Sequence, residues 1–353
     1  MSQLDAALAA NETLNAPASQ RAVAWWLLAC CALIFAMVVV GGITRLTHSG
    51  LSIVEWQPLV GAIPPLDEDQ WSEAFAKYRK TPEYEKVNPG MTLGQFKRIY
   101  WWEYAHRLLG RLIGAVFLVP LAWFAIRGRI SRAMLPRLIA IFVLGGLQGA
   151  LGWYMVQSGL VDDPRVSQYR LTAHLGLAAA IYAAILWTAL DLLHPARLHS
   201  SGPRRSLRRL SLLVTAAVFV MMLSGGLVAG IRAGLAYNTF PLMSGHVLPP
   251  EAFALEPWYL NFFSNMATVQ FDHRLIAWML AFFVPWFWLR VRRVELPAQA
   301  TRRAGLLLAL LAVQIGLGIS TLLLVVPIPL AAAHQAGAMA VLTAAILVNH
   351  SLR

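Results

Sequence analysis

Two side chains that could do chemistry stand three residues apart in the segment WWEYAHRLLGR, residues 101–111. In a helix, Glu103 and His106 project from one face within a single turn. An imidazole can ligate a haem iron, and a carboxylate beside it can act as a general base or pass on a proton. The segment therefore predicts an iron ligand with an acidic neighbour, provided that the rest of the chain builds a scaffold around it.

The composition is that of a polytopic membrane protein. Of the 353 residues, 58% are hydrophobic and only 13% are charged, which is too apolar for an ordinary soluble domain. The net charge of +12 comes from basic residues in short connections rather than on a soluble face, which argues against nucleic acid as a partner. Cys30 and Cys31 are adjacent within an apolar run, which favours a packing role over a disulfide or a metal site.

Eight apolar runs approach or reach the roughly 20 residues that a membrane-spanning helix needs. They are residues 22–43, 105–126, 134–156, 171–193, 210–231, 272–290, 304–324 and 330–349. Arginine-rich connections at 127–132, 194–209 and 290–303 alternate with weakly charged ones, so the positive-inside rule predicts that both termini are cytoplasmic. Residues 1–21 are then a cytoplasmic tail and 194–209 a cytoplasmic linker.

The first outer loop, residues 44–104, is long and in a bacterium would face the periplasm. It contains DEDQWSEAFAKYRKTPEYEKV, residues 67–87, with an acidic start, mixed charges and spaced aromatic residues. This pattern predicts a short amphipathic helix that lies on the membrane surface.

The two halves of the chain repeat one pattern. The matching positions are Gly41–Gly42 with Gly225–Gly226, His106–Leu108 with His273–Leu275, Gln148 and Gly152 with Gln314 and Gly318, and Ala173–His174 with Ala333–His334. Each half has four spans. The simplest architecture is therefore an all-α membrane protein with eight transmembrane helices in two pseudo-symmetric four-helix bundles, residues 22–193 and 210–350.

Four of the nine histidines, His106, His174, His273 and His334, lie in the first turn or two of predicted helices that begin on the outer side. Within each half the two imidazoles can face one another and hold a haem through both axial positions. One such histidine would be explained by an interhelical hydrogen bond, but four at matching positions favour ligands. Zinc competes, yet two histidines per bundle without a nearby cysteine leave it short of protein ligands. Because both sites lie on one side, an electron path across the bilayer is disfavoured.

The halves differ three residues before the first histidine, where the first half has Glu103 and the second has Gln270. An ionisable group near the hydrocarbon is costly, so Glu103 is a candidate general base or proton relay. The alternative is an i,i+4 ion pair with Arg107. Asp272 is a rival acid, and Arg107 and Arg274 could instead contact haem propionates.

These motifs resemble those of haem A synthases of the alphaproteobacterial and mitochondrial type. The resemblance covers residues 22–350 and rests on GGITRLTHSGLS, NPGMTLGQFKRIYWWEYAHRLLGR, TAHLG, VQFDHRL and AAHQ. Gram-positive relatives carry a cysteine pair in the first or third outer loop. This sequence has none there, so no thiol-based step is carried over.

The resemblance implies an enzyme that oxidises the C8 methyl group of haem O to a formyl group by successive hydroxylation, giving haem A for terminal cytochrome oxidases. His273 and His334 would ligate a haem b cofactor. His106 and His174 would hold the substrate haem O, with Glu103 as the essential acid.

The same resemblance implies a place in the bacterial inner membrane, with the haem sites toward the periplasm and lipid around the helices. A haem O synthase would supply the substrate, and an unidentified acceptor would take the electrons. Assembly into a homo-oligomer is left open. Two other functions also stay open. One is a dihaem b-type cytochrome for electron transfer, and the other is a haem transporter or chaperone.

Overall fold

Eight long helices account for most of the protein. The structure, a computed structural model, describes residues 18–57, 60–195 and 202–353. The long helices are α1 (Ala18–Leu46), α2 (Leu93–Ile126), α3 (Leu135–Gln157), α4 (Gln168–Leu193), α5 (Pro203–Gly230), α6 (Met266–Arg292), α7 (Ala298–Leu323) and α8 (Ile328–Ser351). All eight are long and apolar enough to cross a membrane, and the described residues contain no β-strand. The predicted all-α, multi-pass fold is confirmed.

The ends of the predicted segments shift in two places. The predicted tail 1–21 lies outside the described residues except for 18–21, which already belong to α1. The predicted linker 194–209 is shorter than expected, because α5 begins at Pro203. Proline at the first helical position is compatible with an earlier start, since its missing N–H would have no partner there.

The helices pack in two rings of four. Neighbours along the chain are in contact within each half, and the ring closes between α1 and α4 in the first half and between α5 and α8 in the second. The halves meet where α1 touches α8 and α4 touches α5 and α8. This arrangement is consistent with the predicted pair of bundles.

One apolar core runs through both halves. It is built from buried side chains of all eight long helices and includes Cys30 and Cys31 of α1. The two thiols are free and buried, so their predicted packing role is confirmed. Two equivalent long connections, 47–92 after α1 and 231–265 after α5, lie at the same end of the bundle, which we call the long-loop end.

Helix α2 begins about three turns before the apolar run that marked it in the sequence. Thr92 is its N-cap: the Thr92 side chain accepts from Gln95 N, and the Gln95 side chain reaches back to Thr92 N. This reciprocal capping box supplies partners for N–H groups that a helix start leaves open. The hydrophobic run therefore marked where α2 becomes apolar, not where it begins.

The predicted amphipathic segment is helical, but its apolar side packs on protein. It forms the helices Glu68–Tyr78 and Pro82–Lys86. Trp71 and Tyr78 are buried against Phe96, Tyr100 and Tyr104, which follow one another at intervals of four along the extension of α2. The aromatic stripe of α2 covers its apolar face, and a place for this helix on the membrane surface stays a prediction.

The second long connection is less regular. It contains the 3-10 turns Ala233–Leu235 and Trp258–Leu260 and the short helix Asn261–Ser264. Asn265 then caps α6 by accepting from Ala267 N and Thr268 N.

Candidate functional site

The four predicted ligand histidines lie on α2, α4, α6 and α8, near the long-loop end. His174, His273 and His334 are about two turns from the start of their helices, as expected. His106 is nearly four turns from the start of α2, so the expectation of the first turn or two is wrong for this residue. The early start of α2 explains the difference.

Each imidazole lies against a glycine of the preceding helix. The pairs are Gly41 with His106, Gly152 with His174, Gly225 with His273, and Gly318 with His334. A Cβ atom added to Gly41, Gly152 or Gly318 would come within 2.8–2.9 Å of the ring, closer than real Cβ contacts. Glycine at these positions lets an imidazole approach the helix backbone, which gives the repeated glycines of the sequence a physical reason.

A second repeated contact fixes the backbone beside two of the histidines. Gln148 of α3 donates through Nε2 to the carbonyl of His174 at 2.9 Å. Gln314 of α7 makes the same bond to the carbonyl of His334, also at 2.9 Å. The two halves therefore use equivalent residues in equivalent contacts, as the internal repeat suggested.

The histidines of each half are close enough to influence one another electrostatically, His106 with His174 and His273 with His334. Over the described ranges, no hydrogen bond reaches the Nε2 atom of any of the four rings. The Nδ1 atoms of His174 and His334 are also buried without a partner. Two neighbouring imidazoles with unpartnered Nε2 atoms fit the axial ligation of a haem iron.

Glu103 is 2% exposed and accepts four hydrogen bonds. Ser52 Oγ and Ile53 N donate to Oε2, each at 2.7 Å. Arg107 donates to Oε1 through Nε at 3.1 Å and through Nη2 at 2.7 Å. The ion pair that was the alternative explanation for Glu103 is present. A role for Glu103 in the chemistry stays a prediction.

Gln270 occupies the same place in the second half. Its Nε2 donates to the carbonyls of Ala233 and Ala236 at 2.7 and 2.6 Å. Its Oε1 accepts from Arg274 Nη2 at 2.9 Å. In both halves, the residue three before the first histidine is thus buried, bound to an arginine and joined to the long connection that precedes its helix.

Arg107 and Arg274 extend this anchoring of the loops. Arg107 donates to the carbonyls of Ile53 and Glu55 at 2.6 and 2.8 Å. Arg274 donates to the carbonyl of Tyr237 at 2.8 Å. Both guanidinium groups are engaged with loop backbone, and the contact with haem propionates stays a prediction.

The second half has a contact to its first histidine that the sequence did not reveal. Ser224 Oγ lies 2.8 Å from His273 Nδ1 and also donates to the carbonyl of Met221 at 2.8 Å. Ser224 further lines a cavity of about 300 Å³ between α5 and α6, together with apolar side chains and Asp272. Asp272, the predicted rival acid, therefore lies in this cavity of the second half.

Sequence reasoning also missed Glu83, which lies in the helix Pro82–Lys86 and is 3% exposed. Its Oε2 has no hydrogen-bond partner. Burial, and then the charge of Glu103, raise the pKa of Glu83 to about 8, against a smaller opposing effect of Arg232. Nothing local marks this glutamate within a charged segment, because tertiary packing alone buries it.

No three His, Cys, Asp or Glu side chains come together as a metal-binding group within the part of the chain that the structure describes. A zinc site built from protein side chains needs at least that many. The paired histidines are thus better matched to a porphyrin iron, to which the protein supplies only the axial ligands.

Comparisons with known proteins identify the family of this chain. The chain is similar to proteins named Heme A synthase: 64% identical to that of Nitrosospira multiformis, over 95% of both chains. It is 58% identical to that of Nitrosomonas eutropha, over 94% of this chain and 93% of the relative, and 52% identical to that of Parvibaculum lavamentivorans, over 97% of both. Residues 24–346 match the COX15-CtaA family. The chain belongs to this family, which is described as cytochrome oxidase assembly protein.

Proposed function

We propose that this protein is a haem A synthase, an enzyme that oxidises the C8 methyl group of haem O to a formyl group and so provides haem A for terminal cytochrome oxidases. The observation that carries the proposal is that each half of the internal repeat contains a site with two histidines at equivalent positions. The relatives named Heme A synthase, which match over nearly the whole chain, support it.

The two sites are assigned different roles. His273 and His334 hold a haem b cofactor, which supplies redox chemistry when it is bound. His106 and His174 hold the substrate haem O. The contact of Ser224 with His273 supports this order, because a hydrogen-bonded ligand suits a group that stays bound.

Glu103 is the acidic group that the first site requires. Its carboxylate accepts from Ser52 and Ile53, which follow α1, and from Arg107. These bonds hold residues 52–55 against α2 beside His106, so the immediate effect of Glu103 is to position the wall of the substrate site. Its further role as a base or proton relay remains part of the proposal.

The orientation in the membrane follows from charge. The connections opposite the long-loop end carry the arginines, and the positive-inside rule places them in the cytoplasm. Both haem sites then lie toward the periplasmic side of the bacterial inner membrane. A haem O synthase in the same membrane is the proposed source of substrate, and an electron acceptor and a homo-oligomer belong to the same set of proposals.

Extraction of pigments from purified protein tests this function. We expect haem b together with haem O, a hydroxylated intermediate or haem A, and we expect added haem O to be converted. Two haems b per chain that do not respond to haem O would instead indicate a dihaem electron-transfer cytochrome. Bound haem O that is released unchanged would indicate a transporter or chaperone.

A further inference from the structure

The first histidine of each half is held differently. His273 presents Cε1 and Nδ1 to Gly225 of α5, with Cε1 3.3 Å from the position of an added Cβ. His106 presents Nε2 and Cδ2 to Gly41 of α1, at 2.9 and 3.2 Å from the equivalent position. The two rings are thus turned in opposite senses toward equivalent glycines.

Ser224 explains the orientation in the second half. Its hydroxyl has one hydrogen, and the carbonyl of Met221 can only accept, so Ser224 donates there. Ser224 Oγ then accepts from His273 Nδ1–H across the 2.8 Å contact. This selects the imidazole tautomer whose Nε2 lone pair is available to a metal.

The first half has no such hydroxyl. The residue before Gly225 is Ser224, and the residue before the matching Gly41 is Val40. Across the described residues, the His106 ring makes no hydrogen bond. Because no hydrogen bond fixes its tautomer, His106 must adopt the ligating tautomer and orientation when it binds a metal.

We propose that Ser224 is a positioning residue that presets His273 as a permanent haem ligand, and that its replacement by Val40 in the first half leaves His106 as a ligand that releases its haem. Preorganisation lowers the free-energy cost of binding, so the serine favours retention. The inference rests on the proposed function, which assigns a retained haem to the second site and an exchanged haem to the first.

The test compares haem content and haem potential in purified variants. Ser224→Ala should bind haem b about 10–100-fold more weakly, the usual cost of losing the hydrogen-bond partner of a metal ligand. The midpoint potential of the remaining haem b should rise, because an imidazole without this bond is a weaker electron donor to ferric iron. Ser224→Thr keeps the hydroxyl and should restore both properties.

Ser211→Ala is the matched control. Ser211 is also a buried serine of α5, but its hydroxyl bonds only to the carbonyl of Arg208. This variant should keep wild-type haem content and potential. A Ser224→Ala protein with wild-type haem affinity and potential would overturn the proposal.

The reciprocal variant is Val40→Ser, which offers a hydroxyl to His106 Nδ1 when the ring is turned as the His273 ring is. Haem should leave the first site more slowly in this variant than in wild type, as measured by transfer to an excess of apomyoglobin. Equal release rates would overturn the claim that this one residue distinguishes the sites. If these binding results hold but no variant or wild type converts haem O, the proposed function fails while the preset ligand stands.

Discussion

The two halves share one scaffold, but the residue three before the first histidine accepts hydrogen bonds from the loop in one half and donates them in the other. Glu103 accepts hydrogen bonds from Ser52 and Ile53, whereas Gln270 donates to the carbonyls of Ala233 and Ala236. Each residue also bonds the arginine four positions later. The difference teaches that a carboxylate beside a ligand is not by itself a sign of catalysis, since the loop that it faces already requires an acceptor.

What distinguishes the first half more clearly is the structure built around its loop. The extension of α2, with the helices Glu68–Tyr78 and Pro82–Lys86 packed on it, forms a separate aromatic cluster that the connection 231–265 does not reproduce among the described residues. Glu83, on one of these short helices, is buried and close enough to Glu103 for their charges to interact. The second half instead has the hydrogen-bonded His273.

The largest expected effect is from removing one ligand in each half. His273→Ala should lose bound haem b, because one of the two residues that would hold it is gone. His106→Ala should keep haem b and lose conversion of haem O. The absorption spectrum and haem analysis of the purified variants measure both. Retention of haem b by His273→Ala, or its loss from His106→Ala, would reverse the assignment of the two sites.

Exchanging the residues at the matched position should have the next largest effect. Glu103→Gln places an amide among four hydrogen-bond donors, so at least one donor faces the amide N–H group. Breaking a buried ion pair of this kind lowers the free energy of unfolding by about 3–5 kcal/mol. We expect haem b to remain and conversion to fall at least about 100-fold.

Gln270→Glu makes the opposite exchange, with a carboxylate in place of an amide. Its carboxylate would meet the carbonyls of Ala233 and Ala236, now 2.7 and 2.6 Å from Nε2, and should therefore lower the haem b content. Product formation and haem b content are measured for both variants, with the exposed Glu85→Gln as control. Normal haem A production by Glu103→Gln would reduce Glu103 to a dispensable ion pair.

The smallest effect should come from Glu83. Its folded pKa of about 8 lies above the ordinary glutamate pKa of 4.5, so its stabilising contribution is complete below pH 4.5 and is lost as pH rises through 8. The loop should accordingly become more sensitive to limited proteolysis between pH 6 and about 9. Glu83→Gln, which resembles the protonated acid, should flatten this dependence.

Glu85→Gln serves as the matched control for Glu83, because it lies on the same short helix but is exposed. It should show the pH dependence of the wild type. An unchanged slope in Glu83→Gln would mean that another group titrates in this loop.

Much of the fold could be predicted because it is encoded locally. A run of about 20 apolar residues can satisfy its backbone hydrogen bonds in a membrane only as a helix, so the eight spans were readable one at a time. The repeat then paired His106 with His273 and His174 with His334, and the structure gives each ring an equivalent glycine. The start of α2 was also encoded, in the capping box of Thr92 and Gln95, but hydropathy alone passes over polar helical turns.

The sequence by itself determined the all-α membrane fold, its internal repeat and the four candidate ligands, because these depend on spacing along one helix at a time. Only the tertiary structure decided which polar atoms meet. Ser52 lies 51 residues from Glu103, and Ser224 lies 49 residues from His273, so no local pattern records either hydrogen bond. The burial of Glu83 is likewise decided by packing between segments, since a side chain is desolvated by its neighbours in space and not by its neighbours in sequence.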